Sequence, residues 1–397
     1  MAAKIRSFLL PFVTFCAIIG VSIGIIAYGR GYRFDLGKNA LKPTGLISAT
    51  SDPIGAQVLV DSKLRTATNN SFGIDPGWYT ARLIKEGFQP WEKKVRVQGE
   101  VVTRVDAFLF PTSPSLSAIT TSGVVSPVLS PDGSKLAYIV PQSPKISDGQ
   151  IDRSGVWVLE LVDKPLGLNR DARHILAGKT LDVSNASLIW SPDSRQVLVR
   201  FVGASYLIDA DKGNAVPQPV PNLTTLNRDW QETTKTHEMQ RLLTLPEEFV
   251  AIATGSAKVI RFSPDESKVL YEATAAATIA PVIVPPLIGT NYTEEVRTIA
   301  ADNVYVYDVK EDRNYWLGST KNLPPLLWFP TSRHLIAVSK DKIEALEFDG
   351  TNRVTVYAGP FWDAFVAAWT NPTKLVILSN LNAAASAANN LYAINLR

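Results

Sequence analysis

The sequence predicts a mainly β protein: one N-terminal transmembrane helix, a small β-sandwich, and an array of repeated antiparallel units with a helical insertion. Three observations carry this. Residues 8–28 form an apolar run without a charge. Short alternating strands between Gly- and Pro-containing turns fill residues 45–111. From residue 112 onward one motif recurs five times. A unit of this size cannot bury both faces of its sheet alone, and radial packing of four-stranded blades solves the problem. The expectation is therefore a five-bladed β-propeller, with six blades as the alternative if the insertions hide a degenerate unit.

Composition sets the bounds. A chain of 397 residues is too long for one ordinary domain. Charged residues at 19 % and apolar residues at 46 % exclude a disordered chain. A net charge of +3 gives no footprint for nucleic acid. One Cys, Cys16, excludes an intramolecular disulfide framework and a Cys-based zinc site. The positive excess is local: residues 1–44 hold six Lys/Arg and one Asp, whereas residues 112–397 hold 26 basic and 29 acidic groups.

Residues 1–7 are expected as a cytoplasmic tail and 8–28 as a transmembrane signal anchor. As a helix, the 21 apolar residues rise about 31 Å, enough for the ~30 Å hydrocarbon core. Pro11 falls in the first turn, where its missing N–H costs little. A cleaved signal peptide is the rival, with Ala27 and Gly29 as small residues, but the run exceeds an ordinary signal core. Cys16 follows Phe15, a poor context for lipidation. Orientation by charge is close: Lys4 and Arg6 precede the helix, and Arg30, Arg33, Lys38 and Lys42 follow it. A plain count places the bulk of the chain in the cytoplasm. Gly20 and Gly24 have the spacing of a small-residue helix–helix contact, so a helix dimer is a possible partner state.

Residues 29–44 read as a linker. Beyond it, Val58 and Val60 share one strand face, as do Tyr79, Ala81 and Leu83, and then Val95 and Val97. Turns at Ser51–Gly55 and Lys85–Phe88 separate these strands, which indicates a small antiparallel sandwich. Pro53-Ile54-Gly55-Ala56, Pro76-Gly77-Trp78-Tyr79 and the run Lys85–Trp91 resemble the PEGA domain, with Ile54 where the family has Glu. Residues 66–75 depart from it, and an irregular segment is expected there. The resemblance implies a non-enzymatic domain outside the cytoplasm. Trp78 and Trp91 are read as packing residues.

The repeats begin at Val128, Ile189, Arg261, Leu327 and Ala368. Their anchoring residues are Leu129, Trp190, Phe262, Trp328 and Trp369, spaced by 61, 72, 66 and 41 residues. Each has an apolar anchor, a polar Pro-containing turn, a basic residue and an alternating strand. Ser-Pro-Asp suits a tight turn, because Pro fixes φ and Ser or Asp bonds the local backbone. Second strands follow at 156–161, 205–210, 303–309, 342–348 and 391–396. The last unit lacks an outer strand, and residues 116–121 are expected to fill that place, with Ile119 near Leu396. These repeats resemble the WD-like propeller units of the TolB type, which implies a binding platform over residues 112–397. Two insertions interrupt it: 225–249, helical and ended by Pro246, and 274–302, an extended loop or hairpin whose stretch 278–300 is expected to be dispensable. A helical stripe joins Trp230, Thr234, His237, Arg241 and Leu245.

No catalytic, cofactor or metal residue is assigned. His174, His237 and His334 fall in different elements. Asp209–Asn214 lacks the ligand spacing of a calcium loop and reads as a turn. Glu294, Glu295 and Arg297 read as a solvated loop. No phosphate-binding or nucleophile-elbow motif occurs. The expectation is a single-pass protein of the cytoplasmic membrane, bulk outside, that binds an envelope protein or glycan and is not an enzyme. The alternatives are a propeller enzyme acting on glycans or peptides, and a sensor ectodomain working through a membrane partner.

Overall fold

The apolar run forms one helix, Ala2–Gly29, which extends back into the segment expected as a tail. Its stretch Phe12–Gly29 has a mean hydropathy of 2.1, is long enough to cross a membrane, and has no residue buried within the protein. The computed structural model describes residues 2–29, 32–35, 40–142, 152–163, 172–289, 291–362, 364–381 and 388–397. Within the expected linker at 29–44, Tyr32–Asp35 pairs antiparallel with Ala40–Pro43.

Two compact units divide the chain. The first comprises Met1–Phe110 with Ile288–Thr293. One of its sheets runs in the order Lys63–Ala67, Gln57–Val60, Gly77–Ile84, Trp91–Val97. The other runs Asn70–Ile74, Gly45–Asp52, Val102–Phe108. Alternation sends Ile47, Val58, Leu83, Val95 and Val105 into one core. Two expectations change. Gly45–Asp52 and Val102–Phe108 are parallel, because the chain crosses the other sheet before returning to its first strand. Residues 66–75 are ordered: two strands meet at Asn69, whose φ of 64° makes the turn. Trp78 packs edge-on against Tyr292 at 5.4 Å.

The second unit comprises Pro111–Leu287 and Glu294–Arg397, and its described residues form five four-stranded antiparallel sheets. The first is Val125–Leu129, Lys135–Val140, Gly155–Glu160 and Arg173–Ala177. The second is Ser187–Trp190, Gln196–Arg200, Ser205–Asp209 and Gln218–Pro219. The third is Ala257–Phe262, Lys268–Ala273, Asn303–Asp308 and Arg313–Ser319. The fourth is Leu326–Trp328, His334–Val338, Lys342–Glu347 and Val354–Ala358. The fifth joins the two ends of the unit: Val366–Ala368, Lys374–Ser379, Asn390–Asn395 and then Ser115–Ala118. The last pair is in register from Ser115 opposite Asn395 to Ala118 opposite Tyr392. Ile119 therefore meets Leu391, its N–H donating to that carbonyl at 2.8 Å, and not Leu396. Antiparallel pairing puts Leu396 at the opposite end.

Side chains of consecutive sheets interdigitate. Ile139, Val156 and Leu176 of the first sheet share a core with Trp190 and Val199 of the second. Leu136 and Tyr138 turn the other way and pack on Trp369 and Val376 of the fifth. Leu270 and Val306 of the third sheet pack on Leu335 and Leu346 of the fourth.

The helical insertion is two helices. Leu223–Leu242 starts on Asn222, whose side chain accepts from the Thr225 N–H at 3.0 Å. Glu247–Gly255 follows Pro246, which opens this second helix rather than merely ending the first. The two differ in kind. The first has no buried residue, whereas the second lays Phe249, Ile252 and Ala253 on the third sheet. Phe249 stacks on Tyr307 at 4.3 Å and meets Tyr271 edge-on at 5.4 Å.

The stretch 278–300 is not a dispensable loop. Ala277–Thr278 pairs with Thr298–Ile299, and Ile279 and Ile299 are fully buried against the third sheet. Asp312 anchors the base: it accepts from the N–H groups of Val282 and Ile283 at 2.8 and 3.0 Å and from the Tyr307 hydroxyl at 2.8 Å. Arg297 closes the ring at 3.3 Å.

Candidate functional site

The polar turn after each repeat's first strand organises the site. In Ser130-Pro131-Asp132, Ser191-Pro192-Asp193 and Ser263-Pro264-Asp265 the Ser hydroxyl donates to the Asp carboxylate at 2.6, 2.6 and 2.8 Å. The Ser N–H reaches across the turn to the carbonyls of Lys135, Gln196 and Lys268. The next residue lies in the left-handed region: Gly133 at φ 71°, Ser194 at 58° and Glu266 at 56°. Glycine suits that position; elsewhere the turn's hydrogen bonds hold a side-chain-bearing residue there.

Burial raises the Asp132 and Asp265 pKa values, but hydrogen bonds outweigh it. Ser130, Ser134 and Ser194 hold Asp132 below the ordinary carboxylate value. Ser267, Ser263 and the Lys268 charge bring Asp265 to about 2. The Ser191 hydroxyl likewise lowers Asp193. A depressed folded pKa contributes stability above the unfolded pKa, and this is lost as pH falls through the folded value. The window runs from the ordinary 3.8 down to about 2 for Asp265. Ser263→Ala is expected to unfold about 2–4 °C lower at neutral pH, for a lost hydrogen bond worth about 1 kcal/mol. The difference from wild type should shrink between pH 4 and pH 2. Melts across that range check it, and a pH-independent gap would disprove the coupling.

The turns also stitch neighbouring repeats. The Asp132 N–H donates to the Ser194 hydroxyl at 3.3 Å, and the Asp265 N–H to the Ser332 hydroxyl at 3.0 Å. The anchoring tryptophans add a second rung. The Trp190 indole donates to the Val128 carbonyl and the Trp328 indole to the Arg261 carbonyl, both at 2.9 Å. The Trp369 indole N–H is buried and has no hydrogen-bond partner.

The turns and first strands of the first, third, fourth and fifth repeats border an open cavity of about 820 Å³. Leu129, Phe262, Trp328 and Trp369 line it from four repeats, and Arg241 of the helix Leu223–Leu242 reaches it from the side. Arg241 pairs with Glu266 at 3.0 Å and lies over the Phe262 ring at 4.4 Å. A second cavity of about 690 Å³ lies between Trp190 of the second sheet and Trp230 and Thr234 of the same helix. The expected stripe is thus partly real: Trp230, Thr234 and Arg241 face cavities, Leu245 is in the core, and His237 is exposed.

The remaining sequence candidates stay apart. His174 stacks on Trp157 at 4.4 Å, and His334 is buried with its ring N 2.9 Å from the Thr331 hydroxyl. Asp209–Asn214 is a turn closed by the Asn214 side chain, which accepts from the Asp209 N–H. Glu295 and Arg297 are not merely solvated, because Arg297 ties Asp312 into the third sheet. Among the described residues, no group of three or more His, Cys, Asp or Glu could hold a metal ion. Sequence reasoning missed Asp312, the tryptophan rungs and the cavity. Recurrence of Trp at 190, 328 and 369 was the available signal.

No curated protein matches the chain. Among solved structures, the AfRom2 CNH domain is 8 % identical, with 71 % of this chain and all of that chain covered, at a TM-score of 0.31. TolB from Acinetobacter baumannii is 12 % identical over 71 % of this chain and 61 % of its own, at 0.22. The β-propeller domain of the Trilobed protease from Pyrococcus furiosus is 13 % identical over 86 % and 95 %, at 0.22. The family model described as PEGA domain matches residues 44–113, the segment whose turns and strand faces are given above. Residues 44–113 are therefore a PEGA domain within a longer chain.

Proposed function

We propose that this chain is a membrane-anchored cell-envelope binding or scaffold protein. In this reading the helix Ala2–Gly29 anchors it, the bulk lies outside the cytoplasmic membrane, and the second unit is a closed five-bladed propeller that presents the ligand site. The pairing of Ser115–Ala118 with Asn390–Asn395 supports closure, since it fills the otherwise missing strand of the fifth sheet. The PEGA domain supports the envelope placement. One observation carries the binding role: the 820 Å³ cavity gathers turns from separate repeats around an aromatic wall. Binding fits it better than catalysis, because its carboxylates are engaged by Arg241 or by serine hydroxyls.

Two measurements test the proposal. Protease added to wall-stripped cells should digest residues 45–397 while a cytoplasmic control survives; full protection of both would overturn the placement. A photo-crosslinker at Pro264, on the cavity wall, should give a specific adduct in intact cells. Absence of any adduct would count against a binding role.

A further inference from the structure

We propose that the end of the PEGA domain nearest the helix Ala2–Gly29 docks on an anionic lipid surface, with Trp78 and Tyr292 seated among the headgroups. This rests on the reading of that helix as a membrane anchor and adds a second, peripheral contact to it.

The chain path fixes which end of the domain faces the anchor. Residues 30–44, fully extended, would span roughly 55 Å. Pairing of Tyr32 with Pro43 short-circuits that span and leaves Gly45 within about 25 Å of Gly29. The hairpin is then fastened to the sandwich. The Thr44 carbonyl accepts from the Glu100 N–H at 3.2 Å, and the Tyr32 hydroxyl donates to the Glu100 carboxylate. At this end Gly77 pairs with Val97, Gly45 with Ile74 and Leu46 with Val102. A Cβ on Gly45 would collide with the Gln98 carbonyl, so both sheets share the end. The segment Ile288–Thr293 belongs to this unit and runs along Trp91–Val97. Its Ile288 carbonyl accepts from the Gln98 side chain at 3.4 Å.

The exposed apolar surface of the unit collects there. Among its described residues, eight large apolar side chains outside the helix are exposed. Six sit at or beside this end: Leu46, Trp78, Val101, Val102, Ile288 and Tyr292. Leu64 lies mid-sheet opposite Leu59, and Ile54 follows the strand to the far end. Apolar side chains gathered on one end mark an interaction site. Trp and Tyr settle at headgroup depth, with the ring in the apolar layer and the polar atom in water. Arg96 lies over the Trp78 ring at 5.8 Å and Lys94 over the Tyr292 ring at 4.1 Å, so each aromatic carries a cation for a lipid phosphate. Tyr28, in the last turn of the helix, is exposed and enters the same layer.

Charge selects anionic lipid. The sandwich end alone is nearly balanced, with Lys63, Lys94, Arg96 and Arg104 against Asp61, Asp75 and Glu100. Asp61 accepts from the Thr80 N–H at 2.9 Å. The excess comes from the sequence joining helix and sandwich, where Arg30, Arg33, Lys38 and Lys42 outnumber Asp35. A basic stretch beside a span is drawn to a negative leaflet, and the aromatic end gives it a footing. Placement beside the span favours lipid over a soluble polyanion, which has no need of that end.

The test uses the full chain carrying Cys16→Ser, in nanodiscs of phosphatidylcholine alone or with phosphatidylglycerol. Single cysteines replace Val101, Ile54 or Ile18 and carry a fluorophore, and nitroxide lipids quench it at headgroup or acyl-chain depth. Headgroup nitroxide should quench the Val101 probe, more strongly with phosphatidylglycerol, and should spare the Ile54 probe. Lys94→Glu with Arg96→Glu should lower the docked-to-free ratio at Val101 by about fivefold or more. Trp78→Ser with Tyr292→Ser should do the same, and both double variants should keep a cooperative thermal transition. Equal quenching at Val101 and Ile54, or a Val101 signal indifferent to both double variants, would overturn the docking. Equal quenching of Val101 in the two lipids would overturn the anionic preference. A Val101 probe untouched by lipid but shifted by soluble polyphosphate would overturn the lipid partner in favour of a polyanion. Ile18 quenched by acyl-chain nitroxide with Val101 unquenched would remove the docking alone; Ile18 unquenched would remove the anchor and the docking with it.

Discussion

Removal of residues 391–397 is expected to abolish cooperative folding of the second unit. The segment is no frayed tail. Asn390–Asn395 lies between Lys374–Ser379 on one side and Ser115–Ala118 on the other. Leu391, Ile394 and Leu396 have no exposed surface. At about 1.5–3 kcal/mol per fully buried Leu or Ile, the three contribute roughly 5–9 kcal/mol. That approaches the ~5–15 kcal/mol of an entire native state. Two strand edges lose their ladder partners as well. Far- and near-ultraviolet circular dichroism during thermal unfolding would decide, and a truncated protein that keeps a sharp transition would contradict the assignment.

Deletion of residues 278–300 should be nearly as severe. It removes Ile279 and Ile299, both fully buried, at about 3–6 kcal/mol for the pair. It also strips Asp312 of Arg297 and of two backbone donors. Loss of a partner from a buried charge pair costs about 3–5 kcal/mol, because the remaining charge stays out of water. Two point variants calibrate the result. Ile299→Ala alone should cost about 2–5 kcal/mol by denaturant unfolding. Val284→Ser, at a side chain 76 % exposed, should change stability by no more than about 0.5 kcal/mol. Equal effects from the two would show that the hairpin base does not pack on the third sheet.

The strands were legible because alternation is local chemistry. The pattern around Leu136–Val140 shows two apolar faces, and both are used, one toward the second sheet and one toward the fifth. The Ser-Pro-Asp turns were legible for the same reason, since each closes on its own backbone. What stayed hidden depends on partners distant in sequence. Periodicity cannot say that Gly45–Asp52 runs parallel to Val102–Phe108. Glu247–Gly255 was read with the polar helix before it, although Phe249, Ile252 and Ala253 already marked an apolar face. The role of Asp312 needed the approach of Arg297 and the Val282 amide. The cavity is absence of matter between repeats, and no spacing in the sequence encodes a void.

The pairing of Ser115–Ala118 with Asn390–Asn395 also fixes an order of events in the life of the chain. A ribosome delivers residues 115–118 long before their partner exists. Four sheets can assemble as the chain emerges, but the fifth waits for Asn390–Asn395. Until then Ser115–Ala118 and Lys374–Ser379 each present an unsatisfied backbone edge able to recruit a stray strand from another chain. Contacts so far apart in sequence close slowly. A nascent molecule is therefore most vulnerable just before Asn390–Asn395 emerges, and a holding chaperone would be needed most at that moment.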